Sequence, residues 1–144
     1  MALSPRPRVL TLLAVLNFIS AWPHFISGLN PFVAPGQPGS VLTTSYLTTV
    51  YPSLFLQRAN GLLSLVAVAL LIATGMGYLR QSERLGRKLG SGLAGLSIGI
   101  TLLTPWLWQS SGPGLLPTVG LTLLYHVATL YVLNVSHRAA FATK

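Results

Sequence analysis

Long apolar runs alternate with short polar segments along this chain. Four stretches are apolar over roughly 20 residues, the helix length that crosses a bilayer core about 30 Å thick. They predict helices over about 9–28, 54–79, 89–108 and 115–135. We therefore expect an all-α fold, a four-helix bundle in the membrane that forms one transmembrane domain over residues 1–144.

The segment between the first two predicted helices is rich in residues that break helices. Its first half contains Asn30, Pro31, Pro35, Gly36, Pro38 and Gly39. Breakers at this density indicate a loop. Pro52 suits the first turn of the second helix, where a missing backbone N–H costs little. We predict an outer loop over residues 29–53.

Polar side chains recur at three- and four-residue steps within the apolar runs, so three of the helices each carry a polar stripe. The stripes are Asn17, Ser20, His24 and Ser27; Gln57, Asn60 and Ser64; and Thr118, Thr122, Tyr125, His126 and Thr129. They are either faces where helices touch or the lining of a polar pocket. Interhelical hydrogen bonds contribute about 0.6 kcal/mol each, which favours the first interpretation.

Two histidines, His24 and His126, lie within predicted spans. Pro23 removes the backbone hydrogen bond to the carbonyl of Ile19, which predicts a kink beside His24. Imidazole is the usual protein ligand of haem iron and also binds transition metals. Structural hydrogen bonding is the favoured role of each histidine. The alternative is that either one ligates a haem or pigment cofactor.

Three further side chains are candidates for contact with a ligand or lipid: Arg58, Asn17 and Asn60. Arg58 lies about three residues before the most apolar part of the second predicted helix, and from there its side chain can reach the lipid headgroups. An interfacial anchor is the favoured interpretation of Arg58. Binding of an anionic substrate or lipid is the alternative.

The third predicted helix carries small residues at four-residue steps, Ser91, Gly95 and Gly99. Small residues at this spacing let the backbone of another helix approach closely. We predict that these residues form a helix-packing face.

Composition and charge agree with a membrane protein. The chain is 51% hydrophobic and 7% charged, whereas soluble domains contain about 25% charged residues. Eight of its nine basic residues fall before the first helix, between the second and third, or after the fourth. This bias predicts that both termini are cytoplasmic, in a bacterial inner membrane or an equivalent organellar membrane. Because these flanks explain the net charge of +8, we expect no nucleic-acid partner.

Missing residue types restrict the chemistry. The chain has no cysteine and no aspartate, and Glu83 is its only acidic side chain. Without cysteine the chain has no thiolate sites. With one carboxylate it lacks the acidic side chains needed for hydrolysis by paired carboxylates and for phosphoryl transfer with carboxylate-bound magnesium. Catalysis by Ser, His and Asp lacks its orienting acid. These absences argue against most classes of enzyme.

The favoured function is a non-catalytic accessory or assembly subunit of a larger membrane complex, with the lipid bilayer and other membrane subunits as partners. One alternative is an electron-transfer protein that binds haem or a pigment through His24 or His126. Another is a small oligomeric transporter or channel in which Arg58 selects anions. No motif of the chain resembles a named family closely enough to decide among them.

Overall fold

A computed structural model of the chain describes residues 7–33, 54–108 and 115–141. All regular elements within those ranges are helical. The four long helices are α1 (Arg8–Val33), α2 (Leu54–Leu79), α3 (Leu89–Trp108) and α4 (Leu115–Tyr131). The prediction of an all-α chain with four long helices is confirmed. Most of the predicted outer loop lies outside the described residues.

Three helical segments are long and apolar enough to cross a membrane: Arg8–Val33, Gln57–Leu79 and Val119–Ser136. They suggest a membrane protein. Helix α3, the other predicted span, has 20 residues and its side chains are described as far as Leu103. It is not among the three.

Helix α1 continues past its predicted end at Gly28 and reaches Val33, with Pro23 and Pro31 inside it. Gly28 lies inside the helix and makes a close contact with α2. A Cβ on Gly28 would lie 3.1 Å from the carbonyl oxygen of Gly61.

The chain divides into two compact units, Ala14–Gly75 and the paired stretches Met1–Leu13 and Met76–Lys144. Helices α1 and α2 each contribute residues to both units. Each unit has its own helix contacts. Folding of the whole chain as one domain stays a prediction.

Within the unit 14–75, α1 and α2 run antiparallel. Asn17 of α1 pairs with Thr74 of α2, whereas Gly28, further along α1, meets Gly61, earlier in α2. The backbones come closest at the glycines, because a Cβ on Gly61 would lie 2.8 Å from the carbonyl oxygen of Gly28. This approach is possible because both residues are glycines, and small residues are usual where membrane helices pack closely.

Helix α2 ends in a Schellman turn. The N–H of Gln81 donates to the carbonyl oxygen of Tyr78 at 3.2 Å, and the N–H of Ser82 donates to that of Gly77 at 2.9 Å. Gln81 has a φ of 53°, in the left-handed region where glycine is the usual residue. Ser82 then caps the following helical segment, because its hydroxyl accepts a hydrogen bond from the N–H of Leu85 at 3.4 Å.

Two π-helical turns flank the antiparallel pair formed by α3 and α4 in the second unit. The turn Glu83–Lys88 leads directly into α3, and the turn Val132–Ser136 continues α4. The start of α3 lies beside the end of α4, since Asn134 Nδ2 donates to Ser91 Oγ at 2.8 Å. That contact sets the antiparallel direction of the pair.

The chain after α4 folds back onto the turn before α3. The 3₁₀ helix Arg138–Phe141 ends in a fully buried phenylalanine. Its ring lies against Gly86, where an added Cβ would be 2.7 Å from the ring. The turn Glu83–Lys88 and the carboxyl-terminal segment therefore lie at the same end of this unit.

Candidate functional site

The polar stripe of α1 is partly used in the contact with α2. Asn17 is 5% exposed, and its Nδ2 donates to Thr74 Oγ1 at 2.7 Å. The Thr74 hydroxyl, which is fully buried, donates in turn to the carbonyl oxygen of Leu70 at 2.9 Å. This arrangement supports the helix-contact interpretation at Asn17. Contact of Asn17 with a ligand or lipid stays a prediction.

Thr74 lies outside the polar stripe predicted for α2, which comprises Gln57, Asn60 and Ser64. It is the only polar side chain between Ser64 and Tyr78. Its isolation in an apolar run could have indicated a helix contact, because a lone hydroxyl in an apolar helix needs a hydrogen-bond partner on its own helix or on a neighbouring one.

The two histidines of the predicted spans have different surroundings. His24 is exposed on α1. His126 is half-buried on α4, with its ring 5.1 Å from that of Tyr125 in an edge-to-face arrangement. In the part of the chain that the structure describes, no three His, Asp or Glu residues group together to hold a metal ion. Ligation of haem or a pigment by either histidine stays a prediction.

Arg58 and Asn60 lie near the start of α2. Arg58 is exposed and Asn60 is half-buried. Exposure of the guanidinium agrees with an interfacial anchor and equally with binding of an anion. Contact of either residue with a ligand or lipid stays a prediction.

Helix α3 carries three exposed glycines, Gly92, Gly95 and Gly99, which we call the open glycine face. Their steps of three and four residues put them on one side of the helix. A Cβ at any of them would meet no atom within 4 Å in the described structure. Leu96 beside them is 60% exposed. Packing of another helix at Gly95 and Gly99 stays a prediction, whereas Ser91 has its partner in Asn134.

Charged side chains gather at the turn between α2 and α3. Arg87 donates to Glu83 Oε1 at 2.8 Å, and Lys88 Nζ lies 3.6 Å from the same oxygen. Glu83 and Arg87 are four residues apart, the spacing at which opposite charges pair along a helix. The hydrogen bond from Arg87, followed by the charge of Lys88, holds the pKa of the Glu83 carboxyl below its ordinary value. The carboxylate is therefore ionised at neutral pH.

Comparison with protein families, with curated proteins and with solved structures finds no match to this chain.

Proposed function

We propose that this chain is an integral membrane protein that acts without catalysis, as an accessory or assembly subunit of a larger membrane complex. Three helical segments are long and apolar enough to span a membrane. Large apolar side chains stand exposed on them, among others Ile19, Trp22, Leu63, Val66, Leu121 and Leu124. Large apolar side chains exposed in this number suit contact with lipid or with partner helices better than contact with water.

In this proposal the chain crosses the membrane four times and keeps both termini in the cytoplasm. The contact of Phe141 with Gly86 supports it, because it puts the carboxyl-terminal segment beside the basic turn. In the described ranges, the basic residues of the unit containing that turn are Arg8, Arg80, Arg84, Arg87, Lys88 and Arg138. Cations gathered in this way are typical of the cytoplasmic face of a bacterial inner membrane or an equivalent organellar membrane.

The open glycine face is the observation that carries the subunit role. Helices in lipid associate through close packing of small residues, because lipid chains remove the hydrophobic driving force. Gly28 and Gly61 show this use of glycine between α1 and α2. Gly95 and Gly99 offer the same kind of surface without a neighbour among the described residues. A transmembrane helix of another subunit is the partner that fits them.

The test is the size of the assembly extracted from native membranes in mild detergent. We expect the wild-type chain to migrate in a complex much larger than its 15.3 kDa. Gly95→Leu and Gly99→Leu should release it, because each fills the open face with a bulky side chain. Ala69→Leu is the matched control, since Ala69 is exposed on α2 outside that face.

A stable lone monomer of the wild-type chain would contradict the proposal, as would loss of the complex in Ala69→Leu but not in Gly95→Leu. A visible spectrum of the same preparation separates the subunit role from electron transfer. Haem or pigment absorption bands that vanish in His24→Ala or His126→Ala would favour the electron-transfer alternative.

A further inference from the structure

The turn between α2 and α3 surrounds a surface cavity of about 720 Å³, lined by Arg80, Ser82, Glu83, Arg84 and Lys88. The cavity belongs to one unit of the chain. Every lining side chain is polar or charged. A volume of this size holds a lipid headgroup and is far larger than one water molecule needs.

The segment that lines the cavity carries more basic than acidic side chains. The segment 80–88 contains four basic residues, and Glu83 is the only acidic side chain of the whole chain. Four cations against one carboxylate leave an excess of three positive charges. Glu83 is already engaged by Arg87 and Lys88. The excess charge therefore attracts an anion from outside the chain.

Hydrogen-bond donors without acceptors lie at the same turn. Gln81, between two lining residues in the sequence, is 8% exposed, and its Nε2 has no hydrogen-bond partner. The Nε of Arg87 is likewise buried and unpaired. A buried donor without an acceptor is costly and uncommon in a folded protein.

We propose that this cavity binds the phosphate group of an anionic membrane lipid. Phosphate supplies both the negative charge and the acceptor oxygens that basic side chains and N–H groups bind. Two large apolar side chains near the cavity in the sequence are exposed, Met76 at 39% in the last turn of α2 and Leu85 at 42% within the turn Glu83–Lys88. They offer acyl chains a surface that free inorganic phosphate would not use. The proposal rests on membrane insertion, as proposed above, and not on the open glycine face.

The test measures lipid retention by the purified full chain, using native mass spectrometry after exchange into phosphatidylglycerol or phosphatidylcholine. We expect the wild-type chain to retain phosphatidylglycerol preferentially. Arg84→Gln should weaken retention about fivefold, the effect of about 1 kcal/mol for one basic residue at a membrane surface. Glu83→Gln should strengthen retention, because it removes the one carboxylate that repels phosphate.

Arg138→Gln is the matched control, since it removes the same charge from the same unit but not from the cavity lining. We expect it to retain phosphatidylglycerol as the wild-type chain does. Equal losses in Arg84→Gln and Arg138→Gln would overturn the proposal, because they would show diffuse attraction. Equal retention of the two lipids by the wild-type chain would also overturn it. Displacement of the lipid by millimolar inorganic phosphate would assign the cavity to a soluble anion instead.

Extraction of cell membranes with alkaline carbonate distinguishes the two proposals. Release of the chain into the wash would overturn membrane insertion, and the subunit role with it. A chain that stays in the membrane pellet but shows no lipid preference would overturn the lipid site alone.

Discussion

Among the glycines of the described residues, Gly77 makes the closest backbone contact, and its replacement by alanine is the sharpest test of the packing. A methyl group on Gly77 would overlap the backbone nitrogen of Gly86 and the carbonyl carbon of Leu85. These are backbone atoms of the turn that begins α3, so they cannot swing aside as a flexible side chain would. Overpacking costs about 1–3 kcal/mol, and the rigid neighbours put Gly77→Ala at the upper end of that range.

A gain in helix propensity offsets part of this cost. Alanine is favoured over glycine in a helix by about 1 kcal/mol. The free energy of unfolding of Gly77→Ala should therefore fall by about 2 kcal/mol. Gly120→Ala is the matched control, because a Cβ there meets nothing within 4 Å. It should leave stability unchanged or raise it by up to about 1 kcal/mol.

Reversible unfolding in mixed micelles, followed by far-ultraviolet circular dichroism, measures both variants. We expect the unfolding free energies of the two alanine variants to differ by about 3 kcal/mol. If Gly77→Ala were as stable as Gly120→Ala, the contact of α2 with the turn Glu83–Lys88 would be wrong.

Three further predictions concern hydrogen bonds and charge. In a double-mutant cycle, Asn17→Ala and Thr74→Ala should show a coupling energy of about 0.6 kcal/mol, and at most about 1.7 kcal/mol. Additive losses in unfolding free energy would refute their hydrogen bond. Gln81→Gly should raise the unfolding free energy by about 1 kcal/mol, because it relieves a left-handed backbone, whereas Gln81→Ala should not; equal effects would refute the strain. Arg87 and Lys88 lower the pKa of Glu83 in the folded chain. The ion pairs of Glu83 therefore stabilise the fold at any pH above the ordinary glutamate pKa of about 4.3. This stabilisation is lost as the pH falls through the lower pKa that Glu83 has in the folded chain. As the pH falls below about 4, the unfolding free energy of the wild-type chain should therefore decrease more than that of Glu83→Gln. If the two variants lost unfolding free energy in parallel, the pairing of Glu83 would be contradicted.

The helices were predictable from the sequence because apolar length alone determines where a membrane helix can lie. The basic segment 80–88 separates α2, which ends at Leu79, from α3, which begins at Leu89, so both boundaries were predictable. The end of α1 was predicted too early, because Asn30 and Pro31 indicate a loop, yet the helix continues through both of them to Val33. The close contact of Gly28 with Gly61 was not predictable either, since Gly61 is distant in the sequence and local pattern carries no information about such a partner.

Side-chain partners were less predictable than helices. Asn17 pairs with Thr74, a residue outside the predicted stripe of α2, because the pairing depends on how the two helices are rotated. The Glu83–Arg87 pair was predictable, since both residues lie on one turn of helix. The left-handed backbone of Gln81 was not, because its residue type does not favour that conformation.

The membrane layout is tested most directly by labelling single cysteines from outside the cell, and the chain has no native cysteine to interfere. We expect Arg84→Cys and Arg138→Cys to react with a membrane-impermeant maleimide after permeabilisation and not before. Ser45→Cys, in the predicted outer loop outside the described residues, should react in intact cells. Labelling of Arg84→Cys and Arg138→Cys from opposite sides of the membrane would contradict the four-span layout.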